Sequence, residues 1–352
     1  MSVPALPQGL PPWLRRTDPQ GIVMSARIRL ARNVAESAFP GWAGQEEGCR
    51  LCRRLLPLLE SIPLLAGGSL WRMEEAEAMD RQLLRERHLI STELADKGAG
   101  SAVLVSADET LAVMINEEDH LRIQGLTGGM DLRALWETVD ALDTTIGERV
   151  RYAVSPRLGF LTACPSNVGT GLRASVMVHL PGLRMTGDAD KVVKGLDKLG
   201  LAVRGLLGEG TDALGGMYQV SNQATLGASE PDLIARLLAL VEEVAGHEAN
   251  ARRRLLETRP AHVRDRVARA LALLTEARVM GSEEALDLLS GVRLGLALGW
   301  LKGADTRLLN ELFLAVQPAH LQREAGETLA PDARDERRAE RLRDRMAGTE
   351  WV

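Results

Sequence analysis

The sequence has only three cysteines, few lysines and no long apolar run. Three cysteines are too few, and odd in number, for a disulfide framework. Cys49 and Cys52 form a C-x-x-C without a second ligand pair, and we predict that they pack within a helix. No stretch approaches the roughly 20 apolar residues that cross a bilayer, and no secretory apolar segment follows Met1. With a net charge of −5, these absences predict a cytoplasmic protein with no direct nucleic-acid or membrane partner.

Lysine is scarce: of 43 basic residues, five are Lys and 38 are Arg. Arginine-containing motifs therefore arise by chance more often here than in an average protein, and each must be judged by its surroundings. The familiar nucleotide-binding loops are also missing. Neither G-x-x-x-x-G-K-[ST] nor a G-x-G-x-x-G after a strand occurs. The common nucleotide-binding folds are therefore disfavoured.

Periodicity divides the 352 residues into an α/β part, up to about residue 251, and an all-helical part. Strands are predicted at 101–106, 111–116, 149–154, 159–163, 172–180, 201–206 and 216–221, of which the first two form a hairpin. Helices are predicted at 45–59, 74–88, 131–143, 189–199 and 231–248, and then at 261–278, 283–301, 306–316 and 331–345. No linker of low complexity separates the two parts.

Arginines stand at several predicted strand ends and loops. Arg27 and Arg29 lie in S-A-R-I-R, where the alternation of an extended segment places both side chains on one face. Arg122 follows N-E-E-D-H, Arg173 follows C-P-S-N-V-G-T-G, and Arg204 begins R-G-L-L-G-E. Several guanidinium groups converging on one triphosphate would replace a glycine-rich loop, because each binds phosphate oxygens in bidentate geometry. For any single arginine, a surface residue or an ion-pair partner is the alternative.

The acidic sequence N-E-E-D-H, residues 116–120, also has two interpretations. Three adjacent carboxylates usually form an exposed turn. Because these follow a hydrophobic strand directly, we expect them to project from a sheet edge into a cleft.

Four sequences, in this order, resemble the signature blocks of the phosphagen (guanidino) kinase family. They are S-A-R-I-R-L-A-R-N, N-E-E-D-H-L-R-I, C-P-S-N-V-G-T-G-L-R-A-S-V and R-G-L-L-G-E-G. The resemblance implies an α+β catalytic domain at 25–251, with an antiparallel β-sheet flanked by helices, between an extension at 1–24 and a helical domain at 252–352. It implies transfer of the ATP γ-phosphoryl group to a guanidinium. Mg²⁺ would be held mainly by the nucleotide phosphates, with no protein ligands.

The resemblance also assigns roles to individual positions. Glu118 and Glu209 match two carboxylates that grip the acceptor guanidinium, a poor nucleophile with delocalised lone pairs; we predict Glu118 as the principal base and Glu209 as the clamp. Cys164 matches an active-site cysteine whose thiolate would add electrostatic stabilisation. His88 matches a histidine at the adenine or ribose end, with an ordinary helix-end histidine as the alternative. The implied nucleotide-binding positions are Ser25, Ala26, Arg27, Ile28, Arg29, His88, Arg122, Arg173, Ala174, Ser175, Val176, Met177, Arg204, Gly205, Leu206, Leu207, Gly208 and Glu209.

Three features favour proteins, rather than a small molecule, as the acceptor. Only 24 residues precede Ser25, too few for the helical domain that encloses the substrate in kinases of free arginine or creatine. Met177 stands where those enzymes typically have histidine after R-A-S-V. R-D-E-R-R-A resembles the R-D-x-x-R-A motif with which bacterial protein arginine kinases of this family bind phosphoarginine, although a solvated charged helix is the alternative. The implied phosphoarginine-binding residues are Arg334, Asp335, Arg337, Arg338 and Ala339.

The predicted activity is therefore ATP-dependent phosphorylation of protein arginines, regulated allosterically by phosphoarginine. The resemblance implies further partners: client proteins that include stress-response repressors, a Clp-type protease that degrades marked proteins, an activator protein and a second copy of the chain. A kinase of a small free guanidino compound and an inactive phosphoarginine-binding adaptor are the two alternatives.

Overall fold

A computed structural model describes residues 10–16, 18, 20–205 and 213–352. The strands in these ranges are β1 (Val23–Arg32), β2 (Ser69–Arg72), β3 (Ala102–Val105), β4 (Leu111–Ile115), β5 (Leu121–Gly128), β6 (Val154–Ser155), β7 (Gly159–Phe160), β8 (Leu172–His179), β9 (Leu201–Gly205), β10 (Met217–Asn222), β11 (Leu301–Lys302) and β12 (Glu350–Trp351). The helices are α1 (Pro12–Arg15), α2 (Gln45–Glu60), α3 (Ala78–Glu86), α4 (Thr92–Ala95), α5 (Leu132–Gly147), α6 (Pro181–Thr186), α7 (Ala189–Lys198), α8 (Glu230–Thr258), α9 (Pro260–Glu276), α10 (Ser282–Ala297), α11 (Thr306–Ala315), α12 (Pro318–Ala325) and α13 (Pro331–Met346).

The chain divides into two compact units. The first contains residues 10–13, 26–175 and 222–237, and the second contains the described residues of 14–25, 176–221 and 238–352. The domain boundary predicted at residue 251 falls within helix α8, in the second unit. Helix α8 passes through Ala251 without a break, because buried apolar residues recur at helical spacing on both sides of it, from Val244 to Leu255.

In the first unit, strands β2 to β5 pair antiparallel in chain order, and β1 and β8 follow β5 in the sheet. Every residue of β3 and β4 is buried, as expected of strands covered on both faces. Helix α5 packs on β5 and α2 packs on β3. Gly125 permits the close approach of α5, since a Cβ at this position would lie 2.5 Å from a methyl of Val139. This sheet carries most of the predicted site residues.

In the second unit, the sheet order is β8-β10-β9, and the rest is mainly helical. Helix α10 packs against α9 and α11, and α13 packs against α9 and α12. Two-residue strands β11 and β12 pair antiparallel, with Leu301 opposite Trp351. Within the described residues, no helix is both long and apolar enough to cross a membrane.

The structure confirms the predicted α+β class, and it confirms the hairpin as β3 and β4. Each predicted helix has a counterpart. The strand predicted at 149–154 is wrong: Tyr152 makes one isolated bridge to Val34, and only Val154 enters β6. Strands β2 and β5 and helices α6 and α12 were not predicted, because each is short or interrupted by glycine or polar residues. Cys52 is buried in α2, and burial raises the pKa of its thiol to about 11.

Candidate active site

Four of the five predicted phosphate-binding arginines lie in the first unit, on three strands that are neighbours in the sheet. Arg27 and Arg29 are on β1, Arg122 on β5 and Arg173 on β8. In β1 the half-buried positions alternate with buried ones, so both arginines share one face, as the alternation of S-A-R-I-R predicted. Arg122 and Arg173 are likewise half-buried between buried neighbours. The sheet therefore presents four guanidinium groups together.

Burial and the positive charges of these arginines lower the pKa values of Arg27 and Arg29. Burial, followed by the charges of Arg122 and Arg173, lowers the pKa of Arg27 to about 10. The pKa of Arg29 is lowered well below its usual value by burial, then by Arg27, Arg122 and Arg173, against one raising contribution from Glu117. The Nε of Arg29 is buried without a hydrogen-bond partner. Four mutually repelling cations with a buried unsatisfied donor form a site suited to a multiply charged anion.

His88 lies beside this cluster. It follows α3 in the left-handed conformation, with φ of 57°, and its carbonyl accepts a 2.7 Å hydrogen bond from the Nε2 of Gln124 on β5. Its ring meets the ring of Trp13 edge-on at 5.5 Å. Burial and the charge of Arg27 lower the pKa of His88 to about 4, so the ring is neutral at physiological pH. Gln124, which positions His88, was not predicted, because a single glutamine within a strand carries no motif.

The segment between β4 and β5 presents one carboxylate to solvent and buries two. Glu117 has a fully buried side chain and accepts hydrogen bonds from Arg122 Nη1 at 2.5 Å, Ser91 Oγ at 2.5 Å and the backbone N–H of Glu118 at 2.8 Å. Asp119 is also buried. The Glu118 side chain is 41% exposed and lies 3.4 Å from Arg122 Nη2. The expectation that all three carboxylates project into a cleft is therefore wrong; the turn directs only Glu118 outward.

The turn that carries Glu118 is held from both ends. Asn116 has φ of 54°, and its Nδ2 donates to the carbonyls of Gly48 and Gly100 at 2.9 and 2.7 Å. The His120 ring accepts from the backbone N–H of Val34 and bonds to the carbonyl of Ala38, both at 3.0 Å. These contacts fix the direction of the Glu118 side chain. Sequence analysis missed the part played by Glu117, since neighbouring glutamates cannot be told apart before the turn geometry is known.

Cys164 lies next to Glu118. Asp119 Oδ1 accepts a 2.6 Å hydrogen bond from the N–H of Ala163, which brings the cysteine loop against the Glu118 turn. The Cys164 thiol is 3.0 Å from Ser166 Oγ and also hydrogen-bonds Glu118. The pKa of Glu118 is raised, chiefly by burial; Arg122 and the Cys164 hydrogen bond act in the opposite direction. A carboxylate with a raised pKa is a stronger base than an ordinary surface glutamate.

Of the other predicted nucleotide-binding residues, Ala26 and Ile28 are buried on β1, and Ala174 and Ser175 are buried on β8, within the first unit. Ser25, Val176, Met177, Arg204 and Gly205 belong to the second unit, and Met177 is half-buried on β8 while Arg204 is exposed on β9. The predicted residues Leu206, Leu207, Gly208 and the clamp Glu209 lie outside the described residues. Throughout residues 10–16, 18, 20–205 and 213–352, no group of three His, Cys, Asp or Glu side chains is placed to hold a metal ion.

The R-D-E-R-R-A sequence lies on α13, and its arginines differ in environment. Arg338 is buried, and its guanidinium donates to the carbonyls of Val316 and Met280, each at 2.8 Å, and to Asp335. Ala339 is buried beside it. Arg334 is half-buried, while Arg337 is exposed and pairs with Glu340 at 2.5 Å. Arg334 and Arg337 are therefore accessible to a ligand, whereas Arg338 holds loops of the helical part together.

Comparisons with known proteins agree with these observations. Residues 59–251 match the family model of the ATP:guanido phosphotransferase C-terminal catalytic domain, and residues 260–351 match that of the protein-arginine kinase McsB C-terminal domain. The protein-arginine kinase of Symbiobacterium thermophilum is 46% identical over 339 residues, which are 95% of this chain and 96% of that protein. That of Geobacillus stearothermophilus is 43% identical over 337 residues, 95% of this chain and 93% of the other.

Solved structures of phosphagen kinases share the fold. A lombricine kinase superposes with a TM-score of 0.59 and 26% identity, over 73% of this chain and 72% of its own. The duplicated taurocyamine kinase of Schistosoma mansoni, crystallised with components of a transition-state analogue, gives a TM-score of 0.60 and 28% identity over 66% of this chain and 34% of its own. The chain therefore belongs to the protein-arginine kinases of the ATP:guanido phosphotransferase family, enzymes that transfer a phosphoryl group from ATP to arginine side chains of proteins.

Proposed function

We propose that Arg27, Arg29, Arg122 and Arg173 bind the phosphates of ATP and that Glu118 is the base that accepts the proton of the acceptor guanidinium. One observation carries this proposal: four mutually repelling guanidinium groups, one with a buried unsatisfied donor, lie beside a partly exposed carboxylate with a raised pKa. Such an arrangement is costly in the free protein and becomes favourable when a polyanion binds.

The arginines have a catalytic role beyond binding. As the γ-phosphoryl group moves, negative charge shifts toward the leaving oxygen, and fixed guanidinium groups stabilise it without reorganisation. Arg122 is held in place because its two η nitrogens contact Glu117 and Glu118. Mg²⁺, held by the nucleotide phosphates, would neutralise further phosphate charge. His88, neutral and next to Arg27, would contact the adenine or ribose end of the nucleotide.

The transfer step forms one bond to phosphorus and breaks another. An Nη atom of the acceptor arginine forms a bond to the γ-phosphorus while the bond from that phosphorus to the β-γ bridging oxygen breaks, leaving ADP. The proton released from the guanidinium passes to the Glu118 carboxylate. Glu209 would hold the second side of the guanidinium, and the Cys164 thiol would keep Glu118 oriented through their hydrogen bond. Alignment of reactants in this way can lower the barrier by several kcal/mol, up to roughly 7–11.

We further propose regulation by phosphoarginine at Arg334 and Arg337, whose accessible guanidinium groups suit a phosphate. In this proposal, phosphoarginine marks client proteins, among them stress-response repressors, for a Clp-type protease. An activator protein would control the kinase, which would act as a homodimer in the cytoplasm, where ATP is available.

A transfer assay tests the proposal. The protein is incubated with labelled ATP and Mg²⁺ and is offered an unfolded protein, free arginine or creatine in separate reactions. We expect acid-labile label on protein arginine alone. Label on free arginine would favour the small-substrate alternative, and no transfer at all would favour the adaptor.

A single substitution tests the base. Glu118→Gln is expected to lower kcat by about 10²–10⁴, the usual contribution of general base catalysis, while ATP affinity changes little. Glu36→Gln, an exposed glutamate paired with Arg151, is the matched control. Wild-type turnover in Glu118→Gln would exclude Glu118 as the base.

A further inference from the structure

A second cationic cavity lies in the second unit, apart from the four arginines of the sheet and from the R-D-E-R-R-A sequence. It has a volume of about 400 Å³ and is bounded by α9, α10 and the segments around Met185 and Leu255. Four basic side chains line it: Arg259, His262, Arg266 and Arg269. Arg259 precedes α9 as its N-cap, whereas His262, Arg266 and Arg269 are spaced by four and three residues and therefore lie on one face of the helix.

The acidic residues of the lining do not neutralise this face. Asp287 already accepts hydrogen bonds from Arg184 at 3.0 Å and from the N–H of Gly215 at 3.1 Å. Asp265 is exposed and is the other carboxylate among the lining residues that the structure describes. Its one negative charge is outnumbered by the positive charges of the three arginines that line the cavity. The cavity therefore carries net positive charge.

The start of α9 adds to this charge. The helix has 17 residues, its N-cap is Arg259 without a side-chain cap hydrogen bond, Pro260 occupies the first turn, and the first turn contains no acidic residue. The N-terminal end of a helix carries a partial positive charge that acidic residues commonly offset. Here Arg259 brings a positive charge to that end. Such a helix start favours an external anion.

Arg266 supplies an independent indication of a missing ligand. Arg266 is half-buried, but its Nε atom is buried and has no hydrogen-bond partner, although buried donors are normally satisfied. Apolar residues also line the cavity, among them the buried Leu255 and Ala270. A ligand that completes this site has an anionic group for the arginines and tolerates an apolar wall.

We propose that this cavity is a binding site for a phosphate group, separate from both the ATP site and Arg334–Arg337. Three arginines and a helix N-terminus match the three oxygens of a phosphate dianion better than the two of a carboxylate. The phosphate would come either from inorganic phosphate or from phosphoarginine, the product of the kinase reaction. Phosphorylated ligands would thereby stabilise the packing of α9 against α10.

Titration calorimetry on the full-length protein tests the site. Inorganic phosphate and phosphoarginine are titrated separately into the wild type, Arg259→Gln/Arg269→Gln, Arg264→Gln and Arg334→Gln/Arg337→Gln. Arg259 and Arg269 are exposed, so the fold tolerates their replacement. Arg264 lies on α9 outside the cavity, over the ring of Trp300. Arg264→Gln is therefore a control in which an arginine of the same helix is replaced by the same residue.

We expect Arg259→Gln/Arg269→Gln to lose one equivalent of ligand, its affinity falling about 100-fold or more because two charge-assisted contacts are removed. Arg264→Gln and Arg334→Gln/Arg337→Gln retain that equivalent, and the KM for ATP stays at the wild-type value in all variants that change the cavity. The tighter of the two ligands identifies the source of the phosphate. Unchanged binding of both ligands in Arg259→Gln/Arg269→Gln, or an equal loss in Arg264→Gln, would overturn the proposal. Titration of Arg334→Gln/Arg337→Gln measures separately whether the proposed regulatory residues bind phosphoarginine.

Discussion

The same substitution at two arginines of the sheet is expected to change stability in opposite directions. Arg29→Met removes a half-buried cation that three other arginines repel and whose buried Nε has no partner. At neutral pH the lowered pKa means that the folded state bears the cost of this charge, so its removal stabilises the free protein. An unsatisfied buried donor alone costs about 1–3 kcal/mol. We therefore expect Arg29→Met to raise the free energy of unfolding by at least about 1 kcal/mol.

Arg122→Met is expected to do the reverse. Arg122 is the cation that pairs with Glu117, whose side chain is fully buried, at 2.5 Å. Removal of one partner of a buried pair leaves the other charge uncompensated, which typically costs about 3–5 kcal/mol. Ser91 and the N–H of Glu118 still bind Glu117, so the lower part of that range is appropriate. Screening reduces it little, because the Arg122 side chain is only 14% exposed.

The assay is urea unfolding of both variants and the wild type, with and without saturating ADP and Mg²⁺. Without nucleotide the expected order of stability is Arg29→Met, wild type, Arg122→Met. With ligand at about 100 times its dissociation constant, the wild type gains about 2.7 kcal/mol, whereas both variants gain less because their phosphate contacts are weakened. The wild type then overtakes Arg29→Met. If Arg29→Met is as destabilised as Arg122→Met in the absence of nucleotide, Arg29 is a structural residue and does not burden the free protein.

Cys164 and His88 in the candidate active site, and Arg338 and Arg337 on α13, are expected to have effects that can be measured separately. Cys164→Ala removes a hydrogen bond that lowers the pKa of Glu118, so the acidic limb of the kcat–pH profile should move to higher pH; an unmoved limb would mean that another group titrates there. The pKa of His88 is lowered from 6.5 to about 4, so the wild type should lose stability as pH falls through that interval, a loss that His88→Gln should reduce in acid unfolding curves. Arg338→Met leaves two buried carbonyls without a donor and should lower the melting temperature by several degrees, whereas Arg337→Gln should leave it unchanged and weaken only the response to phosphoarginine.

The pattern of helices was predictable because amphipathic spacing records which face is buried. Helix α10 and helix α11 begin within one residue of their predicted starts, and Asp305 caps α11 by accepting from the N–H of Leu308 at 2.7 Å. Strand β5 was missed because Arg122 and Gln124 interrupt its apolar run. Both side chains face the candidate site. The polar residues that obscure the strand pattern in the sequence are therefore the ones with a functional role.

The site residues that belong to the four signature sequences could be predicted. The orientations of side chains that depend on the geometry of a turn could not. The arginines of S-A-R-I-R share a face because strand alternation allows no other result. The roles of Glu117 and Glu118 depend instead on the left-handed Asn116 and on the bonds of His120 to the loop after β1. These are contacts between segments far apart in the sequence. No local pattern could have separated a buried carboxylate from a reactive one.

The chain has 38 arginines. A nearby carboxylate of the protein distinguishes the structural arginines from those that we expect to bind a ligand. Arg32 contacts Asp143 at 2.7 Å, Arg87 contacts Glu109 at 2.7 Å, and Arg252 contacts Glu248 at 2.6 Å. Each of these buried cations has a carboxylate within the fold. Arg29 is surrounded instead by other arginines and has an unsatisfied Nε. A guanidinium that is largely removed from water and lacks its own anion lowers stability, so we expect Arg29 to contribute favourably only when an anionic ligand binds. Arg266 is half-buried and, like Arg29, has a buried Nε without a hydrogen-bond partner, which supports the cavity on α9 as a second candidate phosphate site.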